Sequence, residues 1–250
     1  LADIPLVGKA MALGTLPDGD HWNVLDIGSH YWPEMVRAYL ACVSFADHQV
    51  GLVLDALDAS PHAQNTIVVL WSDHGQHLGE KKHWRKQSLW EESTRVPLAF
   101  RLPGKQAMAQ RVDAPVSLLD IYPTLIDLCQ LKSVPGLEGH SVQPLLANPA
   151  SSWPHAAITT WYYKNHSIRT QRWRYIRYRD GGEELYDHDA DPLEHDNLAG
   201  QTEYATIIKQ LRKRLPGKNV LPAGDKQWEG DSLTRKIKSL QTDGIPAWLR

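Results

Sequence analysis

Apolar positions between residues 33 and 58 recur at three- and four-residue steps. Met35, Ala38, Tyr39, Cys42, Val43, Ala46, Val50, Val53, Leu54 and Leu57 form one stripe, the pattern of a helix packed on a core. That helix starts near Pro33-Glu34 and ends near Ser60-Pro61. The period then changes. Thr66-Ile67-Val68-Val69-Leu70-Trp71 is a continuous apolar, β-branched run, which suits a strand covered on both faces, as in a parallel sheet. Val96-Pro97-Leu98-Ala99-Phe100-Arg101-Leu102 predicts another strand, with Pro97 at its beginning or at an edge. Helical spacing returns from Ser117 to Cys129, and Pro123 is tolerated best if the helix begins around it.

Turn-forming residues cluster from Ser133 to Pro154, which predicts a subdomain boundary near residue 150. Beyond it short strands follow one another: Ala157–Trp161, Ser167–Thr170, Tyr175–Tyr178 and Glu184–Tyr186. Gly181-Gly182 between the last two is a hairpin signal. The pattern predicts a small antiparallel sheet followed by a helix from about Glu203 to Leu215, then a polar tail over 218–250 with helix around Ser232 to Leu240. Residues 1–32 carry Gly, Pro and Asp without a sustained period and read as loop. Helix followed by buried strand indicates an α/β chain, organised as 1–150 and 151–250.

Composition narrows the function classes. With 250 residues, 42% hydrophobic and 22% charged, the chain is an ordinary globular one with a sizeable core. Lys plus Arg at 27 against Asp plus Glu at 29 gives a formal charge of −2, so no global basic field addresses nucleic acid. An anionic ligand must be held by a local site. Apolar stretches are read as broken by charges before the ~18 residues of a membrane span. The two cysteines, Cys42 and Cys129, lie in apolar helical patterns and read as small buried hydrophobes rather than a disulfide. Leu1-Ala2-Asp3-Ile4-Pro5 lacks an initiator Met and the plan of a signal peptide, which suggests a chain cut from something longer.

The segment richest in chemistry is Trp71-Ser72-Asp73-His74-Gly75-Gln76-His77-Leu78-Gly79-Glu80. It follows the first strand, and open α/β sheets bind ligands beyond strand carboxyl ends. A bend at Gly75 would let an Asp73 oxygen and a His74 nitrogen converge on one ion. On spacing alone, an Asp-His-Gly turn capping a helix accounts for the segment equally well. Two ligands are also fewer than the roughly six that a hard divalent cation collects. Thirteen residues after Asp73 comes Lys86, at the end of the basic run Lys81-Lys82-His83-Trp84-Arg85-Lys86. Such a run beside a metal favours an anionic substrate; alone it reads as a solvated loop.

Several motifs in order carry a resemblance: Ser72-Asp73-His74-Gly75, Leu78-Gly79-Glu80, Trp84-Arg85-Lys86, Arg95-Val96-Pro97-Leu98, the Ser117–Leu125 segment, Ser167–Thr170, and Glu184-Leu185-Tyr186-Asp187 followed by Asp191-Pro192 and Asn197-Leu198. Over roughly 34–215 the chain resembles the later half of a type I, formylglycine-dependent sulfatase, in the iduronate-2-sulfatase and choline-sulfatase-like branch. The resemblance implies a sulfatase/alkaline-phosphatase-like α/β fold: the later half of the large mixed-sheet domain, plus a small C-terminal antiparallel sheet with a helix. It implies a sulfuric ester hydrolase whose metal, normally calcium with magnesium or manganese as alternatives, is held by Asp73 and His74 together with carboxylates from elsewhere. Lys86 matches the lysine that contacts the sulfate group. Periplasmic, secreted or lysosomal location and a sulfated sugar or small-alcohol substrate follow from the same resemblance.

The chain also departs from the family. No Cys/Ser-x-Pro/Ala-x-Arg motif is present; neither Cys42-Val43-Ser44-Phe45-Ala46 nor Cys129-Gln130-Leu131-Lys132-Ser133 fits. The first metal carboxylates and an upstream substrate histidine are missing too. The expectation is half a site, with the formylglycine nucleophile upstream in the same polypeptide or a second chain. His77, His83 and His166 are candidate substrate contacts, although a loop histidine reads equally as a bystander. Asn165-His166-Ser167 matches a glycosylation sequon. Two other readings remain: a phosphodiester or phosphonate monoester hydrolase of the same superfamily, and a non-catalytic fragment.

Overall fold

The computed structural model describes residues 1–14, 20–28, 30–104, 110–221 and 232–245. Parts of the polar tail, 222–231 and 246–250, lie outside the described residues. The segment expected to be loop contains two helices, α1 (Leu6–Ala12) and α2 (Asp20–Ile27). Helix α1 is too short to show a period, but Val7, Ala10, Met11 and Ala12 are all buried, so tertiary packing rather than propensity makes it. The long helix α3 spans Tyr31–Asp58, close to its predicted bounds.

Its environment differs from the expectation. No residue of α3 is buried; Met35, Val43, Phe45 and Val53 are exposed, and so are Cys42 and Cys129. The stripe is present, but among the described residues it is covered only in part, with Val50, Leu54 and Leu57 half-buried and the rest exposed. Helix α3 is also long and apolar enough to cross a membrane by length and composition, which corrects the reading that charges interrupt every such stretch.

Strand β1 (Val68–Trp71) and the later β4 (Leu98–Arg101) pair antiparallel, Val68 opposite Arg101 and Trp71 opposite Leu98. A parallel partner was expected. Leu70 and Trp71 are exposed, so the apolar run reports strand propensity without the double coverage it suggested. Between them lie a two-residue-per-strand hairpin, β2 (His77–Leu78) with β3 (Trp84–Arg85), and the short helix α4 (Glu91–Thr94).

Helix α5 (Ile121–Leu128) follows a 3-10 turn that Ser117 and Asp120 close as a capping box. Pro123 sits in the first turn of α5, where its missing N–H costs nothing. After α6 (Gln143–Ala147), strands β5 (Ala157–Thr160), β6 (His166–Arg169), β7 (Trp173–Arg177) and β8 (Glu183–Asp187) form an antiparallel meander in sequence order. Helices α7 (Ala205–Arg212) and α8 (Ser232–Thr242) complete the chain.

This meander is covered on both faces, and its alternation shows why. Tyr175 and Leu185 point with Ile168 toward Ile208 and Leu211 of α7. Their neighbours Ile176 and Tyr186 point the other way, into a core with Val7, Met11, Leu89, Trp90 and Leu240. The second core therefore joins residues from both sides of position 150. Trp90 donates its indole N–H to the buried Glu184 at 2.8 Å, and Tyr178 and Tyr186 donate to the same carboxylate at 2.5 Å.

Candidate active site

Two glycines shape the segment after β1. A Cβ on Gly75 would lie 1.9 Å from the Glu92 carbonyl, so only glycine lets this backbone pass against α4, where the Gly75 N–H donates to the Ser93 carbonyl at 2.9 Å. Gly79 has φ 114° and faces the Trp32 ring, with a Cβ 2.2 Å from it. Chain reversal from β2 to β3 continues through left-handed Lys81 and Lys82, and Arg85 at φ 72° redirects the chain just before Lys86. Such backbone costs about 1 kcal/mol or more per residue and persists only where surroundings over-determine it.

The hairpin's register has a direct chemical result. His77 pairs with Arg85, so the residues just before β2 and just after β3 meet, and Lys86 Nζ lies 2.9 Å from His74 Nε2. His74 Nδ1 is 2.8 Å from the Gly75 carbonyl oxygen, a bond that requires the proton on Nδ1 and leaves a lone pair on Nε2. An Asp73 carboxylate oxygen is 3.6 Å from the same Nε2. Carboxylate, unprotonated ring nitrogen and ammonium thus face one point. An imidazole whose other nitrogen is tied to a carbonyl is the usual state of a metal-binding histidine, so these residues fit part of a divalent-cation site; the remaining donors must come from elsewhere.

Asp73, His74 and Lys86 line a cavity of about 1260 Å³ whose far wall is supplied by β5, Arg169, Gln171 and His188. The rest of the basic run does not join them. Lys81 turns inward, donating to Tyr186 Oη at 3.2 Å and to the Glu194 carbonyl, and lies over the Tyr186 ring. Arg85 faces Asp20 at 3.6 Å. The run therefore staples the hairpin to the C-terminal sheet at one end and offers Lys86 to the cavity at the other.

The three candidate histidines are placed differently. His77 is fully buried, its Nε2 2.8 Å from Ser88 Oγ and its Nδ1 3.3 Å from the Glu80 carbonyl oxygen. Burial, with His83 nearby, lowers its pKa to about 3, so the ring is neutral and accepts the Ser88 proton. Ser88 in turn donates its backbone N–H to the Lys86 carbonyl at 2.8 Å and borders the cavity. His83 is also buried, its pKa lowered to about 4 mainly by desolvation. His166 is held by Thr160 at 2.9 Å and Asn219 at 2.8 Å. None of these three rings borders the cavity. Asn165 is buried and bonded to Trp161 and Arg179, so its amide is not displayed as a glycan acceptor.

Beneath the cavity lies a network that sequence reasoning missed. Arg174, 2% exposed, donates to Glu91 and Glu194, to the Leu89 carbonyl at 3.1 Å and to Ser167 Oγ at 2.7 Å. Arg169 pairs with Glu91 at 3.5 Å, and His188 reaches Glu194 at 2.9 Å. Ligand atoms of Glu91, His188 and Glu194 fall within 4.8 Å of one another, a spacing a metal could use. The guanidinium of Arg174 already occupies both carboxylates, which makes this an ion-pair network. Burial pushes the Glu194 carboxyl up, but Arg174 and then His188 outweigh it and hold it at about 2. The only sequence signal was a pair of adjacent acids, Glu91-Glu92, which says nothing about a partner 83 residues away.

Comparison with known proteins identifies the family and the fold. Residues 9–131 match the model of the sulfatase family, and residues 79–220 match that of the N-sulphoglucosamine sulphohydrolase C-terminal region. A sulfatase from Formosa agariphila is 41% identical over 233 residues, 93% of this chain and 44% of that protein. A choline-sulfatase from Rhizobium meliloti is 35% identical, covering 68% of this chain and 35% of its own length. The chain thus spans less than half the length of these curated relatives. Among solved structures, a 2-O GAG sulfatase superposes with TM-score 0.72 at 26% identity, covering 96% of this chain and 51% of that one. A phosphonate monoester hydrolase from Silicibacter pomeroyi reaches TM-score 0.72 at 22% identity, covering 85% and 46%, and shows a shared fold only. Helix α3 lies wholly inside the matched sulfatase segment. With an alkaline-phosphatase-like α/β architecture and a family match that runs through Asp73, His74 and Lys86 into the C-terminal sheet, the chain belongs to the sulfatase family.

Proposed function

We propose that this chain forms the later part of a sulfuric ester hydrolase, in which residues 1–150 carry Asp73, His74 and Lys86 and residues 151–250 wall the substrate cavity. The observation that carries the reading is the meeting of the Lys86 ammonium with the unprotonated Nε2 of His74 beside the Asp73 carboxylate. A bound divalent cation, calcium in this reading, would neutralise the oxygens of the ester. Asp73 and His74 would hold that cation. With His74 Nε2 so engaged, Lys86 loses its present acceptor and is left to donate to an ester oxygen, where it offsets charge developing on the leaving oxygen. The substrate class is a sulfated sugar or small alcohol.

The test is steady-state turnover of 4-nitrophenyl sulfate against a 4-nitrophenyl phosphonate ester by the catalytically complete protein. Lys86→Ala should lower kcat and kcat/KM for the sulfate about 10²–10³-fold, the scale for losing one oxyanion donor. A melting temperature within a degree or two of wild type would separate this loss from unfolding. Near-wild-type kcat/KM would return Lys86 to a solvated loop, and faster turnover of the phosphonate would favour the phosphonate hydrolase reading. This chain assayed by itself with calcium should show no turnover above an Asp73→Ala control.

A further inference from the structure

Next to the candidate site lies a second cavity of about 800 Å³. The two share lining residues, Arg111, Asp113, Pro115 and Gln171 among them, so they adjoin. The second cavity lies within the roughly 300–1,000 Å³ of a small-ligand pocket and the first, at about 1260 Å³, already exceeds it; an ester as small as an aryl sulfate has no use for both. The lining chemistry is specific. Trp153 is fixed by its indole N–H, which donates to the Pro115 carbonyl at 3.0 Å, and by the edge of His155 at 4.7 Å. His155 in turn stacks on His140 at 3.6 Å. Three guanidinium groups surround this aromatic cluster: Arg111, Arg172 and Arg214.

Two of the three are partly neutralised, Arg111 by Asp113 at 2.9 Å and Arg172 by Asp187 at 2.7 Å. Arg214 is different. Its guanidinium donates to the Pro154 carbonyl at 3.0 Å, an acceptor without charge, and among the described residues it has no carboxylate partner. A rigid indole beside an uncompensated guanidinium is suited to a ligand that is apolar on one face and anionic at its rim. We propose that this second cavity is a subsite for further units of a sulfated oligosaccharide, with Trp153 against a sugar face and Arg214 on a sulfate or carboxylate. The proposal rests on the hydrolase reading for the identity of the glycan and would make the substrate a chain rather than a single sugar.

Binding can be tested without turnover. Isothermal titration of this chain with a heparin-derived hexasaccharide should show saturable binding, absent with neutral maltohexaose. Arg214→Gln, an exposed position, and Trp153→Ala should each weaken it about tenfold or more, whereas Trp153→Phe, which keeps a ring, should stay within about threefold. Arg214→Gln should leave turnover of 4-nitrophenyl sulfate by the complete protein unchanged. Unaltered hexasaccharide affinity in Arg214→Gln, equal binding of maltohexaose, or tighter binding of a thymidine hexanucleotide would each overturn the proposal. Should Arg214-dependent binding persist while the complete protein releases no sulfate from any ester, the hydrolase reading fails and the subsite stands.

Discussion

The α3–β1 region is richer in apolar residues than the C-terminal meander, yet it is the meander that is buried. In the meander, alternate residues of β7 and β8 are buried on both faces, Tyr175 and Leu185 against α7 and Ile176 and Tyr186 against α1 and Trp90. In α3 most of the helical stripe is exposed, with only Val50, Leu54 and Leu57 of it half-buried, and β1 leaves Trp71 half uncovered. Periodicity therefore reports which side of an element is apolar; it does not report whether the described chain covers that side. The candidate site sits at the junction. Asp73 and His74 follow the poorly covered strand, while the hairpin bearing Lys86 is locked to the well-covered sheet through Lys81 and the Glu91–Arg174–Glu194 network.

The largest expected effect breaks that lock. Arg174→Met removes the guanidinium that Glu91 and the fully buried Glu194 share, leaving Arg169 on the first and only His188 on the second, and stranding a buried charge typically costs about 3–5 kcal/mol. Urea unfolding should show this loss, and a cost under ~1 kcal/mol would mean that the network contributes little and the two halves are held by apolar contact alone. The same pair predicts acid behaviour. Glu194 is held at about 2, below its ordinary 4.5, so the folded state gains from its ionisation above pH 4.5, and that gain is lost as pH falls from 4.5 toward 2.

Burial of the meander core can be probed next. Ile176→Ala should cost about 2–5 kcal/mol, since Ile176 is fully buried between Trp90 and α1. Denaturant midpoints of Ile176→Ala and of a matched Val53→Ala in α3 give the contrast directly. Equal losses would show that α3 is covered in solution and that the comparison drawn above is wrong.

Most of this layout was legible in the sequence. Strand positions in the meander were found to within two residues, because alternation and the Gly181-Gly182 turn are local signals; Gly181 indeed sits at φ 95° in the turn. Asp73, His74 and Lys86 were legible because their motifs are contiguous and the hairpin register does the rest. The buried α1 was not, since seven residues carry too short a period and its stability comes from Glu184, Tyr178 and α8 far along the chain. The antiparallel pairing of β1 with β4 was equally hidden, because a run of apolar residues has no direction written in it. His77 and His83 were legible as residue types and misleading in role: a histidine in a loop and one packed edge-on against its neighbour at 4.7 Å read the same in one dimension.

Those two histidines make a smaller, pH-dependent effect that belongs to the hairpin. Both are neutral in the fold, at about 3 and about 4, against 6.5 when unfolded. A base with a depressed folded pKa contributes fully above its unfolded value, and the contribution is lost as pH falls below 6.5 toward the folded values. The histidines' contribution should therefore begin to fall near pH 6.5, two units before Glu194 enters. A His77→Gln, His83→Gln variant should lose less thermal stability than wild type between pH 6.5 and 4.5 while keeping the drop below 4.5. Glu92, 4.0 Å from His77 with its carboxyl pushed up to about 7 by burial, works in the opposite sense over the same window, so the measure is the difference between wild type and variant; identical pH slopes for the two would show that the rings are not buried as neutral groups.

The smallest effect is expected where apolar residues are most numerous on the surface. Val43 and Phe45 of α3 are 49% and 67% exposed, so Val43→Lys with Phe45→Lys removes no buried contact among the described residues. Surface substitutions of this kind stay within about 0.5 kcal/mol per site, and lysine is at least as good a helix former as valine or phenylalanine. What should change is association. Val43 and Phe45 lie two positions apart and so on different sides of the helix, each an apolar contact surface in waiting, and the double variant should shift sedimentation toward the 28.2 kDa monomer at concentrations where the unmodified chain self-associates. Destabilisation by 2 kcal/mol or more would instead mean that these positions are packed, and the contrast between the two regions would reduce to a difference in strand order.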